Sequence, residues 1–257
     1  MRYYLCGISD TGNYRTKNED CFLIDHVVMN NGFLERKVTS PFITAVCDGV
    51  ASEKSGELAS RIASEALSNI EFTSMTNMLD EVINIHNKIY AYSELSPLTS
   101  RNMQTTLCCL TVDENDNACC VNVGDSRMYR YCDGNLFQIS TDQSLVELLH
   151  SQGKITSEEA KNHSQKHIIF PVLGNTKCIP SIQIKPLKMK ISGNDIVIIC
   201  SDGFSDFVSE DEIQIGMSLD IPLKERIKTL AQLALERGST DNITIVAVKR
   251  IYEPKSL

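Results

Sequence analysis

The chain has 257 residues and a formal net charge of -8, with 42% hydrophobic and 23% charged residues. This is an ordinary globular composition, long enough to bury a core without covalent staples. The acidic balance speaks against a nucleic-acid partner, which is usually met by a basic face, and no apolar run approaches the roughly 20 residues that a membrane span needs.

In chain order, residues 3–9, 20–28 and 41–47 read as strands, rich in β-branched and aromatic side chains. Asn30, Asn31 and Gly32 mark a hairpin turn between two of them. From Ser52 to Ile70 the period changes, and Leu58, Ile62, Ala66, Leu67 and Ile70 fall on one helical face. Residues 76–93 read as a second helix, with Pro97 in the connection that follows. Strands return at 105–112, 117–123 and 126–132, with turns at 113–117 and Asp133-Gly134, and residues 136–139 close that meander. Helical patterns cover 143–152 and 156–162, the second with a capping box of Thr156 and Glu159. Strands recur at 181–186, 195–200 and 242–250. Between the last two lie helices at 209–216 and 222–237, the latter with Pro222 at its first turn and Gly238 past its end. Residues 252–257 read as a short C-terminal tail. The order predicts an α+β fold of helices packed on sheets, without the regular βαβ alternation of a nucleotide-binding sheet.

The ten cysteines form no C-x-x-C pair, so zinc spacing is absent. Most lie in apolar runs such as TTLCCLTV and IVIIC and read as small buried hydrophobes in a reducing compartment, with disulfides the lesser alternative. The opening MRYYLCGISDTG lacks the basic and then apolar pattern of a signal peptide, so the expected location is the cytoplasm.

Four aspartates share a context. Asp48 ends FITAVCDG, Asp125 follows ACCVNVG, Asp202 follows DIVIICS, and Asp241 precedes NITIVAVK. One Asp-Gly after a strand is ordinarily a turn, but four carboxylates at the ends of buried strands are well placed to hold a ligand. Should several converge, they repel one another in a partly desolvated pocket, and oxygen-only ligation suits Mn2+ or Mg2+. Three carboxylates against two dications leave a formal surplus of one positive charge, suited to a phosphate dianion. Arg15, in a Gly- and Asn-containing turn just before Glu19 and Asp20, offers a fork for a phosphoryl group, although a loop arginine is ordinarily a solvated charge.

The order S-D-x-G-x-x-R-x-x-N-E-D, V-C-D-G-V, T-T-L, V-G-D-S-R, S-D-G-F-S-D and S-T-D-N-I-T, running from Ile8 to Val248, resembles the PPM, or type 2C, metal-dependent protein phosphatases in their compact bacterial form. The resemblance implies a single catalytic domain over residues 1–251, an α-β-β-α four-layer sandwich with two central antiparallel sheets flanked by helices. It implies hydrolysis of phosphoserine and phosphothreonine by a hydroxide bridging two metals, without a phosphoenzyme. Position by position, Asp48 resembles the carboxylate bridging both ions, the carbonyl of Gly49 a ligand of the second, and Asp202 and Asp241 ligands of the first. Glu19 and Asp20 would act through metal-bound waters, and Arg15 would clamp the substrate phosphate. Asp125 resembles a ligand of a third, weaker ion, with Ser126 nearby. Thr105 and Thr106 match a structural motif without a catalytic role. STDQSLVELLHSQGKITSEEA resembles the segment leading into the family's flap beside the active site.

Two positions depart from the family. Val50 stands where animal-type members often carry a histidine, and Pro171, in I-F-P-V-L-G, stands where an arginine is common. ASEKSG replaces the usual glycine-rich turn and is expected to start the first helix, and the five histidines match no motif. The expected partners are phosphoproteins opposing a Ser/Thr kinase, with the enzyme a monomer. The alternatives are a catalytically inactive binding module of the same fold, or a phosphatase of a small partner-switching phosphoprotein. A cysteine-dependent phosphatase and a P-loop enzyme are excluded by missing motifs.

Overall fold

The computed structural model describes residues 1–50, 55–95, 102–187 and 190–251. Strands are β1 (Arg2–Asp10), β2 (Asp20–Ile24), β3 (Val27–Met29), β4 (Gly32–Thr39), β5 (Phe42–Asp48), β6 (Leu107–Val112), β7 (Ala118–Val123), β8 (Arg127–Cys132), β9 (Asn135–Gln138), β10 (Gln183–Pro186), β11 (Ile196–Cys200) and β12 (Ile243–Ile251). Helices are α1 (Gly56–Ser68), α2 (Met78–Leu95), α3 (Leu145–Ser151), α4 (Ser157–Lys161), α5 (Asp202–Ser205), α6 (Glu210–Ser218) and α7 (Leu223–Glu236). The segment ASEKSG, expected to start the first helix, falls mostly on residues 51–54, and these, Pro97 and the tail at 252–257 lie outside the described residues.

Two six-stranded antiparallel sheets run β4-β1-β12-β11-β8-β9 and β10-β7-β6-β5-β2-β3. Their inner faces meet in a core of Tyr3, Leu5, Phe22, Val46, Cys108, Leu110, Val197 and Val246. The apolar stripe of α1 and α2 (Ile62, Leu67, Val82, Ile85 and Ile89) packs on the outer face of the second sheet, beside Leu23, Ala45 and Cys109. Phe204, Ile213, Ile227 and Leu230 cover the outer face of the first, against Ile198 and Ile245. Strands buried on both faces read as continuous apolar runs rather than alternating ones, which is why VIIC and CCLTV look as they do. All ten cysteines are free, and seven of them are buried. Among the described residues, no helix is long and apolar enough to cross a membrane. The expected sandwich, with helices outside two antiparallel sheets, is the fold observed.

The elements differ from the sequence reading in four places. The run 20–28 is broken at Asp25, whose φ of 60° turns the chain, so that β2 and β3 form a hairpin of their own. Asn30 to Gly32 is not a hairpin turn between paired strands, because β3 and β4 belong to different sheets. β4 was unread because Glu35, Arg36 and Lys37 break its apolar alternation, and it is an edge strand whose outer side needs such charges. The short helix α5, directly after β11, also carries too few residues for a readable period.

Candidate active site

β2 and β5 lie side by side with Asp20 opposite Asp48. Asp202 opens α5 just after the end of β11, Asp241 lies two residues before β12, and Asp125 occupies the turn between β7 and β8. The first pair belongs to one sheet, while Asp202 and Asp241 come from the other, so the carboxylates meet at one rim of the sandwich. Their mutual influence shows in their acidity. Burial pushes the Asp48 carboxyl well above the usual carboxylate range, and the negative charges of Asp20, Asp202, Asp125 and Asp241 push it further. Asp125 is raised well above the range by burial and then by Asp202 and Asp142. Asp202 is pushed up to about 6 by burial, Asp241 and Asp206, against a hydrogen bond that it shares with Asp48. Asp20 is pushed up to about 7, chiefly by burial. Five carboxylates therefore gather where the sequence count took three, and Asp20 belongs to the group through its own charge.

Asp48 is held by its backbone. Its N–H donates to Thr106 Oγ1 at 3.0 Å, and its carbonyl accepts from Thr105 Oγ1 at 2.9 Å and from Thr106 N at 2.8 Å. The T-T-L motif is thus structural, as read, and its structural work is to fix the end of β5. Ser126 is fully buried, with its hydroxyl 2.8 Å from Thr106 Oγ1. That bond ties the Asp125 turn to the Asp48 strand. At Gly49 a Cβ would lie 2.4 Å from the backbone of Gly56, so only glycine lets the start of α1 close over the strand end. Gly49 N also donates to Glu19 O at 3.1 Å.

Asp20 is buried, and its Oδ2 accepts from Thr244 Oγ1 at 2.6 Å and from Ser201 Oγ at 2.7 Å. Thr244 continues to Ser9 Oγ at 2.8 Å, and Ser9 accepts from Asn18 Nδ2 at 2.9 Å. This hydroxyl chain joins the two sheets beneath the carboxylates and satisfies a carboxyl that would be costly to bury alone. Ser201 and Thr244 were missed as site residues, although both stand inside quoted motifs, S-D-G-F-S-D and S-T-D-N-I-T. Their signal was a hydroxyl one residue before Asp202 and three after Asp241.

Arg15, on the loop between β1 and β2, donates from Nη2 to Asp241 Oδ2 at 2.6 Å. Glu19 is half-buried, and its carboxyl is raised by burial against the pull of Arg15. Val50 packs against the α1 and α2 core, with its N–H on Gln104 O, so the position that elsewhere holds a histidine faces a hydrophobic cluster.

Asp125 and Asp202 open into a cleft of about 580 Å³. One wall is α3 and α4, the other α5 and the start of α6, and a Lys166–Asp206 ion pair of 3.0 Å spans it. The excursion carrying α3 and α4 is closed at its base where Ser144 bridges Ile169 and Phe170 N donates to Gln143 O. Pro171 follows that closure, at the start of the return to Leu173, which bridges Thr105. His167 lies close enough to Asp202 to favour its charged form.

Among the described residues, no three His, Cys, Asp or Glu side chains already stand as a metal cage. The donor chemistry nevertheless fits a hard dication. The gathered groups are all carboxylates, and they raise one another's pKa, the condition that bound Mn2+ or Mg2+ relieves.

A family model described as Protein phosphatase 2C matches residues 32–242. The serine/threonine phosphatase stp of Listeria welshimeri is 30% identical over 251 residues, covering 94% of each chain. The crystal structure of the Mycobacterium tuberculosis serine/threonine phosphatase PstP/Ppp superposes with a TM-score of 0.81 at 28% identity, covering 98% of this chain and 100% of that one. A catalytic domain of PstP in complex with 2 manganese ions gives a TM-score of 0.76 at 28% identity, covering 97% of this chain and 99% of that one. With its fold and rim of carboxylates alike in place, the chain belongs to the protein phosphatase 2C (PPM) family and is a protein serine/threonine phosphatase.

Proposed function

We propose that the chain removes phosphate from phosphoserine and phosphothreonine on the protein substrates of a Ser/Thr kinase, in the cytoplasm and as a monomer, with Mn2+ or Mg2+ as its cofactor. The supporting observation is the gathering of Asp20, Asp48, Asp125, Asp202 and Asp241 from both sheets at one rim, the first four raised by desolvation and then by their neighbours' charges. Asp48, the Gly49 carbonyl, Asp202 and Asp241 would hold two core ions, with Glu19 and Asp20 acting through water. Asp125, beside Ser126, would hold a third. When bound, two such ions supply a hydroxide at neutral pH and brace the oxygens of a phosphoryl displacement, so that no phosphoenzyme is needed.

The chain's own residues prepare that chemistry. Thr105, Thr106 and Ser126 hold Asp48 and the Asp125 turn at fixed spacing. Ser201 and Thr244 hold Asp20 from the opposite sheet. Arg15 stands at the outer edge with a planar fork suited to two phosphate oxygens. The cleft between α3–α4 and α5–α6 leads away from Asp125 and Asp202 and offers room for the polypeptide on either side of the phosphorylated residue.

Hydrolysis of a phosphothreonine peptide with added Mn2+, abolished by a chelator and restored by Mn2+, is the expected result. Turnover that survives exhaustive chelation would remove the metal-dependent reading. Trapping a stable phosphoprotein with radiolabelled substrate would remove the direct attack of water.

A further inference from the structure

Asn242 is 3% exposed, and its side chain makes three hydrogen bonds, all to one loop. Nδ2 donates to Thr11 O at 2.9 Å and to Lys17 O at 3.0 Å, while Oδ1 accepts from Glu19 N at 2.8 Å. All three partners are main-chain groups of the segment 11–19, from which Arg15 projects. Asn242 N also donates to Asp241 Oδ1 at 2.9 Å, leaving Oδ2 for Arg15 at 2.6 Å. A single residue thus fixes both the loop that carries the arginine and the orientation of the carboxylate that the arginine meets.

The packing around it leaves little freedom. A Cβ on Gly203 would come within 2.0 Å of Asn242 O, and one on Gly12, whose φ is +77°, within 2.6 Å of Asp241 O. The entry to β12 is therefore wedged between two close backbone approaches. The amide is also the right group chemically. It presents two donors to two carbonyls and an acceptor to one N–H, a combination that a carboxylate or a hydroxyl of similar size does not offer. Glu19 N is in turn next to Asp20, so the same amide sets where the acidic pair begins.

We infer that Asn242 is the positioning residue of the phosphate-binding arginine, acting on substrate through the backbone of residues 11–19 rather than through the metal ligands. The inference rests on the reading of Arg15 as the phosphate clamp. Nothing in the reaction touches Asn242 itself. Its contribution is to spare the loop the entropy of ordering when phosphate arrives.

The test compares Asn242→Ala, Arg15→Ala and the double variant in the full chain, by steady-state hydrolysis of a phosphothreonine peptide at saturating Mn2+ and by hydrogen exchange of the peptide covering 11–19. Asn242→Ala is expected to raise KM about tenfold with kcat within about twofold, and to add less than about twofold in the Arg15→Ala background, because the two act as one unit. Amides in 11–19 are expected to exchange about tenfold faster or more, with the rest of the chain unchanged. An equal rise in KM in both backgrounds overturns the inference, as does unchanged exchange in 11–19. Arg15→Ala leaving KM unaltered would remove the clamp reading alone, since the exchange measurement still decides whether Asn242 holds the loop. A fall in Mn2+ affinity by calorimetry, with KM unmoved, assigns Asn242 to Asp241 instead and overturns the inference. Should Asn242→Ala not fold, Asn242→Asp keeps the acceptor for Glu19 N and turns two donors into acceptors facing carbonyls, with the same outcomes expected.

Discussion

Arg15 and Asp241 stand 226 positions apart in the chain and 2.6 Å apart in space. The contact brings the arginine of the opening motif onto a carboxylate of the last motif, and with side chains 38% and 34% exposed it remains open to solvent. A pair this exposed contributes little to stability, so its value lies in where it keeps the guanidinium. Arg15→Ala is expected to leave folding intact and to raise KM for a phosphopeptide by about tenfold, the loss of charge-assisted hydrogen bonds to phosphate. Steady-state kinetics check this. A lowered kcat at unchanged KM would count against the clamp.

Asp48→Asn and Asp202→Asn each remove a negative charge from a half-buried group where neighbouring carboxylates already oppose ionisation. Neither substitution changes side-chain volume, so circular dichroism is expected to be unchanged. Hydrolysis is expected to fall by more than the roughly 10–100-fold typical of an outer-shell change, and calorimetry to show weakened Mn2+ binding. In the parent protein, Mn2+ at about 100 times its Kd is expected to raise Tm by on the order of 5–10 °C, and a chelator to reverse this. A Tm indifferent to Mn2+ would contradict the metal assignment.

Thr244→Val tests the hydroxyl chain under the site. Thr244 is fully buried, and its Oγ1 is one of two donors to Asp20 Oδ2. The isosteric change leaves a buried carboxyl half-served, at a cost of about 1–3 kcal/mol. Urea denaturation of the metal-free protein reads it. Thr244→Ser keeps the donor and is expected to recover most of the loss.

His86 supplies a pH prediction away from the carboxylates. It is 5% exposed on α2, its Nδ1 accepts from Gly174 N at 3.2 Å, and burial lowers its pKa from the ordinary 6.5. The folded protein resists the proton that the unfolded chain accepts. The stability tied to neutral His86 is therefore fully present above about pH 6.5 and is lost as pH falls below that value toward the folded pKa. Thermal melts between about pH 7 and 5 are expected to fall more steeply for the parent than for His86→Gln, whose side chain does not titrate there. Parallel curves would show that His86 is not the titrating group.

Much of this was legible in the sequence. The apolar runs ending in Asp48, Asp125 and Asp202 announced rigid strands with carboxylates at their tips, and the ordered motifs named the family and its layers. The capping box of Thr156 and Glu159 and the Pro222 and Gly238 punctuation placed helix ends because those signals are local: Thr156 and Glu159 are three residues apart and bond to each other directly. β4 was hidden because an edge strand needs solvent-facing charge rather than alternation.

What only the tertiary structure decided were the partnerships across the stack. Asp20 joins Ser201 and Thr244 over separations of 181 and 224 residues, and Asn242 takes up the backbone of the Arg15 loop from 231 residues away. A motif records which residue types stand at a strand end. It does not record which strand of the facing sheet that end will meet. Register and sheet packing set that meeting, because a side chain's partners follow from the face it presents and the layer laid against it.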